Sequence, residues 1–94
     1  MSEPDHLLSI TTDPEGQQVF IHADTAGLEY LISSLSHLRE QLKKGTSDHD
    51  HMMTQAWAGQ ELSTPQVAEG ERPVQHLKIW AWTPEKIREN RPKA

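Results

Sequence analysis

One stretch of this 94-residue sequence has the apolar spacing of a long amphipathic helix. Between Thr25 and Lys44, leucine and isoleucine recur every three or four residues, at Leu28, Leu31, Ile32, Leu35, Leu38 and Leu42. This spacing lines one side of a helix. Asp24 can cap the first turn with its carboxylate, and Gly45 follows the last turn, where glycine commonly ends helices. We therefore expect one helix over residues 25–44, with its apolar stripe in the core.

Four segments around this helix alternate as β-strands do. Residues 6–12 and 17–23 flank Asp13-Pro14-Glu15-Gly16, a strong turn signal, and so predict a hairpin. Residues 48–54 and 74–82 predict a third and a fourth strand.

The expected fold is therefore α+β, with the element order ββαββ. It is a four-stranded antiparallel sheet in the order 2-1-3-4, with one long amphipathic helix on one face. Strand three is expected beside strand one, because the helix returns the chain to the starting edge. Residues 1–83 form the expected single domain, and residues 84–94 form a short helical or disordered C-terminal tail.

Composition narrows the classes of function. The formal net charge is −5, from 14 acidic and 9 basic residues, which disfavours nucleic-acid binding because phosphate contacts need clustered Lys and Arg. The N-terminus lacks the apolar segment of a signal peptide, and no apolar run is long enough to span a membrane. With no cysteine in the sequence, we expect a cytoplasmic protein without a membrane partner.

The richest functional chemistry lies in the segment from Asp48 to Leu62 and in the last predicted strand. The connection over residues 55–73 has no periodicity, and loops of such length are often functional. The sheet face opposite the helix is expected to show Phe20, His22, His76, Lys78, Trp80 and Trp82. Either these rings form a partner surface, or the loop or the tail covers them. The predicted partner-binding residues are Asp48, His49, Asp50, His51, Trp57, Glu61, Trp80 and Trp82.

A metal site is the competing interpretation of the same residues. His49 and His51 would point the same way on a strand, and His76 on a paired strand could supply a third nitrogen to a zinc-like ion. No HExxH or cysteine-pair motif accompanies these histidines. No catalytic residue and no cofactor are therefore predicted.

Three short runs resemble the immunity protein 32 family of bacterial polymorphic toxin systems. They are Asp48-His49-Asp50-His51-Met52-Met53-Thr54, Trp57-Ala58-Gly59-Gln60-Glu61-Leu62 and His76-Leu77-Lys78-Ile79-Trp80. Ala58 stands where the family pattern has the first glycine of a turn. The resemblance implies a small α+β protein that neutralises a cognate toxin by binding it.

Three hypotheses follow. The first is a non-enzymatic immunity protein that binds a protein partner, such as a basic toxin domain, with Trp57 as an anchor and the nearby acids as a steering rim. The second is a small metal-dependent enzyme that uses His49, His51 and His76. The third is a homodimer with a structural or regulatory role, in which exposed sheet faces pair.

Overall fold

The computed structural model describes residues 4–64 and 68–90, and it has the expected α+β composition. In chain order, the elements are β1 (Leu8–Thr12), β2 (Val19–Ala23), α1 (Thr25–Lys43), β3 (Asp48–Met53), a 3₁₀ turn (Gln55–Trp57), β4 (Arg72–Pro73), β5 (His76–Ala81) and α2 (Pro84–Asn90). The predicted hairpin, long helix and later strands are all present, each within a few residues of its expected bounds. The tail residues 91–94 lie outside the described part.

The predicted single sheet in the order 2-1-3-4 is wrong. The described strands form a three-stranded sheet in the order β2-β1-β4 and a separate ribbon of β3 and β5. Both are antiparallel, and β3 pairs with β5 over the full length from Asp48↔Ala81 to Met53↔His76. The expected pairing of the third and last strands is therefore correct, whereas the expected pairing of β1 with β3 does not occur.

The long connection explains why β1 and β3 remain apart. Ser63 donates its backbone N–H to the Leu8 carbonyl at 2.9 Å, and Leu62 donates to the Met53 carbonyl at 3.2 Å. Loop residues thus occupy the two strand edges that direct pairing would have used. Further along β1, Val74 donates to the Ile10 carbonyl at 2.8 Å. The extended segment 72–81 therefore pairs first with β1 and then with β3.

The core is a compact cluster where these elements meet. Leu8, Ile10, Met52 and Leu62 are buried, and Leu31 from α1 packs against them. The expectation that the whole helical stripe is buried is wrong, because Leu28, Ile32 and Leu35 are about half exposed. Of the apolar stripe, Leu38 is fully buried, and the helix also buries Gly27 and Ser34. Two small sheets cover less of a helix than one wide sheet would.

The start of α1 lies close to the backbone of Leu7, the residue just before β1. Asp24 accepts a hydrogen bond from the Gly27 N–H at 2.8 Å, which confirms it as the helix cap. This bond is the main reason that the pKa of Asp24 lies below its usual value. A Cβ atom on Gly27 would lie 1.8 Å from the Leu7 carbonyl oxygen. Only glycine therefore allows this approach of helix and strand.

The face of the first sheet opposite α1 is partly covered by residues of the long connection, as one of the two expected alternatives had it. Ser9 donates to the Ser63 carbonyl at 2.6 Å. Glu71 accepts hydrogen bonds from Thr11 and from His22, the latter at 2.8 Å. The hydrogen bond from Thr11 has the larger effect and that from His22 the smaller, and together they lower the pKa of Glu71.

Among the described residues, no helix is both long enough and apolar enough to cross a membrane.

Candidate functional site

The β3–β5 ribbon displays a row of aromatic side chains on one face. His49 lies opposite Trp80, His51 opposite Lys78, and Met53 opposite His76. Because side chains alternate along a strand, these residues point away from α1, while Met52, Leu77 and Ile79 point toward the core. We call the row, consisting of Trp57, His76, His51, His49, Trp80 and Trp82, the ring face.

Neighbouring rings of the ring face are in contact along its whole length. The ring centroids are 5.9 Å apart for Trp57 and His76, and 5.0 Å apart for His76 and His51. His49 lies 4.9 Å from His51 and 4.9 Å from Trp80. Trp80 and Trp82 stack at 5.3 Å with an interplanar angle of 21°. Such separations are typical of favourable aromatic pairs, so the row forms one continuous packed surface.

Much of this surface is open to solvent. Trp57 is 54% and Trp80 is 50% exposed, while Trp82 is half-buried. The Lys78 ammonium lies 4.1 Å from the centroid of the Trp80 ring, a cation–π contact. The ring face therefore combines large apolar surfaces with hydrogen-bonding edges and one fixed positive charge.

The two central histidines share a hydrogen bond. His51 Nδ1 and His76 Nε2 are 2.8 Å apart, so one nitrogen donates and the other accepts. Desolvation by burial, followed by the charges of Lys78, His49 and His76, lowers the pKa of His51 below its usual value of 6.5. His51 is therefore mainly neutral at pH 7, so it can supply the unprotonated nitrogen that the shared hydrogen bond needs.

The predicted acidic residues are placed elsewhere. Asp50 accepts a hydrogen bond from Ser34 of α1, and Asp48 lies 3.8 Å from His37 of the same helix. Glu61 accepts from the backbone N–H of Met53 at 2.9 Å. The structure thus brings His49, His51, Trp57, Trp80 and Trp82 together, but it does not bring Asp48, Asp50 and Glu61 to the same surface.

Asp50 borders a shallow cavity between α1 and β3. The cavity has a volume of about 210 Å³ and is lined by Tyr30, Ser33, Ser34, His37 and Asp50. Burial, helped by the negative charges of Glu61 and Asp50, raises the pKa of Tyr30. The hydroxyl of Ser34 is already bonded to Asp50, so these groups hold the helix against β3.

The three histidines of the metal hypothesis do lie next to one another on one face. They form a line with His51 in the middle, and the facing nitrogens of His51 and His76 are engaged with each other. In the described ranges 4–64 and 68–90, no group of three His, Asp, Glu or Cys side chains could hold a metal ion.

Trp57 is positioned by a tight turn after β3. Gly59 donates to the Thr54 carbonyl at 2.9 Å. A Cβ atom on Gly59 would lie 2.4 Å from the Met53 carbonyl oxygen, so this position requires glycine. Ala58, with φ of 65°, adopts the left-handed conformation that normally favours glycine.

Replacing Ala58 by Gly is expected to raise the free energy of unfolding by about 0.5–1 kcal/mol. The change removes the energetic cost of holding alanine in the left-handed conformation. Part of this gain is lost, because glycine has more conformational freedom in the unfolded chain. Urea titration followed by circular dichroism measures this gain. Ala56→Gly is the matched control: Ala56 is exposed in the same turn without a positive φ, so that variant should be destabilised. Equal losses in both variants would contradict the strain at Ala58.

Two residues of this surface were absent from the predicted partner-binding set. Both are expected from the sequence on the same sheet face as Trp80, and His76 is also a candidate metal ligand. The alternation His76-Lys78-Trp80 places all three on one side of the strand, and this signal is sufficient to include His76 and Lys78 in the partner-binding surface.

No protein-family model, curated protein or solved structure matches this chain. The family resemblance therefore remains a prediction from the sequence, and the surface geometry is the main basis for a functional proposal.

Proposed function

We propose that this chain is a non-enzymatic protein that binds a protein partner through the ring face. The observation that carries the proposal is the unbroken row of rings, with Trp57 and Trp80 about half exposed. Monomeric proteins rarely expose apolar patches of this kind without a use. Tryptophan is also enriched among the residues that dominate binding energy at protein interfaces.

The ribbon beneath the rings supports binding without rearrangement. Its two strands pair over six residues each, and on its inner side Met52 and Ala81 are buried in the protein. Mutual stacking and the His51–His76 hydrogen bond hold the rings in place. A preorganised surface loses less conformational entropy on binding than a mobile one.

We further propose that the partner is a bacterial toxin, and that the chain acts as a cytoplasmic immunity protein. The runs that resemble the immunity protein 32 family contribute His49, His51, Trp57, His76 and Trp80 to the ring face. An inhibitor of this type needs a rigid surface and anchoring side chains, but no catalytic group. Because Asp48, Asp50 and Glu61 are engaged away from the rings, aromatic contact rather than an acidic rim would supply most of the affinity.

The partner can be identified by photo-crosslinking. A photoreactive amino acid placed at position 80 in the native host should crosslink a protein that mass spectrometry identifies. With that protein purified, Trp80→Ala is expected to weaken binding ten- to thirtyfold by calorimetry, about 1.4–2 kcal/mol, as for interface anchors. Ile87→Ala is the matched control, because Ile87 is a comparably exposed apolar residue (45%) that belongs to α2 and not to the ring face.

Toxicity tests the second part of the proposal. Expression of the partner alone should arrest growth, wild-type chain should restore it, and Trp80→Ala should restore it less at equal expression. A complex unaffected by both Trp57→Ala and Trp80→Ala would contradict the ring face as the binding surface. A harmless partner would contradict the immunity role while leaving the surface assignment intact.

A further inference from the structure

A second surface, unrelated to the ring face, is the free edge of β2. β2 is the outer strand of the three-stranded sheet, and no described segment pairs with its other side. At either end of the hairpin ladder, Asp24 donates to the Leu7 carbonyl at 3.1 Å and Asp13 donates to the Gln18 carbonyl at 3.3 Å. Bonded pairs alternate along an antiparallel ladder, so Phe20 and His22 bond to β1. The backbone groups of Val19, Ile21 and Ala23 therefore point outward.

This edge lacks the usual devices that prevent strand pairing. Exposed edges in natural proteins commonly carry charged residues, proline or a bulge. β2 has the sequence Val-Phe-Ile-His-Ala, with no acidic residue, lysine, arginine or proline. Its register with β1 runs without interruption from Leu8↔Ala23 to Thr12↔Val19. Nothing in the strand opposes the addition of another strand.

The side chains at this edge are apolar and open to solvent. Val19 is 66% and Ile21 is 54% exposed. They lie on the side of the sheet that carries α1, because Ile21 pairs with the buried Ile10. On that side α1 exposes Leu28, Ile32 and Leu35.

The exposed apolar area is of the right size for self-association. From their exposed fractions, these five side chains present roughly 500 Å² of apolar surface, similar to the largest apolar patch of a typical monomer, which is often functional. A standard interface buries about 800 Å² on each partner. Backbone atoms of two paired strands and the polar atoms around them can supply the difference.

We propose that two copies of this chain associate through β2, antiparallel about a twofold axis at Ile21. In this register Ile21 faces Ile21 of the partner subunit, and Val19 faces Ala23 of the partner subunit. Each outward N–H then meets an outward carbonyl, because all three residues present their hydrogen-bonding groups to the same edge. The twofold axis stands perpendicular to the sheet, so both copies of α1 lie on the same face of a continuous six-stranded sheet. The interface is isologous, as in most homodimers.

This arrangement leaves the ring face free, since the rings belong to the β3–β5 ribbon. The dimer therefore goes beyond the proposed function, presenting two partner-binding surfaces in one particle, and it can be tested with the purified protein alone.

Sedimentation equilibrium from micromolar to millimolar concentration tests the association. We expect a monomer–dimer equilibrium that Ile21→Lys weakens at least tenfold, because the substitution places a charge at the twofold axis. Ile87→Lys is the matched control and should leave the equilibrium unchanged, since Ile87 is a comparably exposed apolar residue on α2. Circular dichroism verifies that both variants are folded.

Amide hydrogen exchange locates the interface. The amides of Phe20 and His22 should be protected at all concentrations, whereas those of Val19, Ile21 and Ala23 should gain protection only as the dimer forms. A monomer at every concentration would overturn the proposal. A dimer that survives Ile21→Lys, or one lost on Trp80→Ala instead, would overturn it as well and would place the contact elsewhere.

Discussion

Replacing Gly27 by Ala is expected to lower the free energy of unfolding by about 3 kcal/mol, at the upper end of the cost of overpacking. The added methyl group would lie 1.8 Å from the Leu7 carbonyl oxygen and 2.8 Å from the Leu7 carbonyl carbon. Both are backbone atoms, so no side-chain rotation relieves the clash. Relief requires the first turn of α1 to move away from Leu7, which would also disturb the Asp24 cap.

The sign of the change in the free energy of unfolding shows whether packing or helix propensity dominates at position 27. Within an exposed helix, Gly→Ala normally stabilises by about 1 kcal/mol. Ser33→Ala is the matched control, since Ser33 is on the exposed side of α1 and its replacement should be neutral or slightly stabilising. Urea unfolding of both variants measures the difference. A Gly27→Ala protein as stable as the wild type would show that the close approach of α1 and Leu7 is absent.

Replacing Leu62 by Ala is expected to cost about 3 kcal/mol, within the range found for leucine truncation in protein cores. Leu62 is fully buried in the cluster with Leu8, Ile10 and Met52. Its backbone also bonds to the Met53 carbonyl, and the adjoining Ser63 bonds to Leu8. The residue therefore joins the ribbon to the three-stranded sheet. Native domains have on the order of 5–15 kcal/mol of net stability, so this variant should lose a large share of it and unfold at a clearly lower temperature.

Ile87→Ala provides the comparison for this prediction. Ile87 is 45% exposed on α2, and surface substitutions of this kind usually change stability by about 0.5 kcal/mol or less. Thermal and urea unfolding should show a loss of stability several times larger for Leu62→Ala than for Ile87→Ala. Similar small losses would mean that Leu62 does not link the two sheets.

The sequence indicates the roles of Gly27 and Leu62 to different degrees. Gly27 can be recognised as a glycine near a helix start, but its contact with Leu7 depends on how the hairpin meets the helix. Leu62 lies in a connection without periodicity, so its burial had no local signal. Both positions gain their importance from residues distant in the chain.

The functional surface was partly predictable. Period-two alternation places His49 with His51 and His76 with Trp80, and the pairing of the third and last strands then brings these rings to one face. The alternation also separates Asp48 and Asp50 from His49 and His51. Grouping all four residues as one partner-binding set disregarded that rule. Trp57 joins the row only because the turn after Thr54 folds back beside His76.

Local sequence determined the elements of this protein: the hairpin around Pro14 and Gly16, the helix capped by Asp24, and two later strands with alternating faces. These depend on nearest-neighbour dihedral preferences and on apolar periodicity, which a few adjacent residues specify. The tertiary structure alone decided the sheet order, the half-exposed stripe on α1 and the assembly of the ring face. Each depends on which strand edges the segment around Leu62 and Ser63 occupies, and competition for backbone hydrogen bonds between distant segments leaves no periodic trace in the sequence.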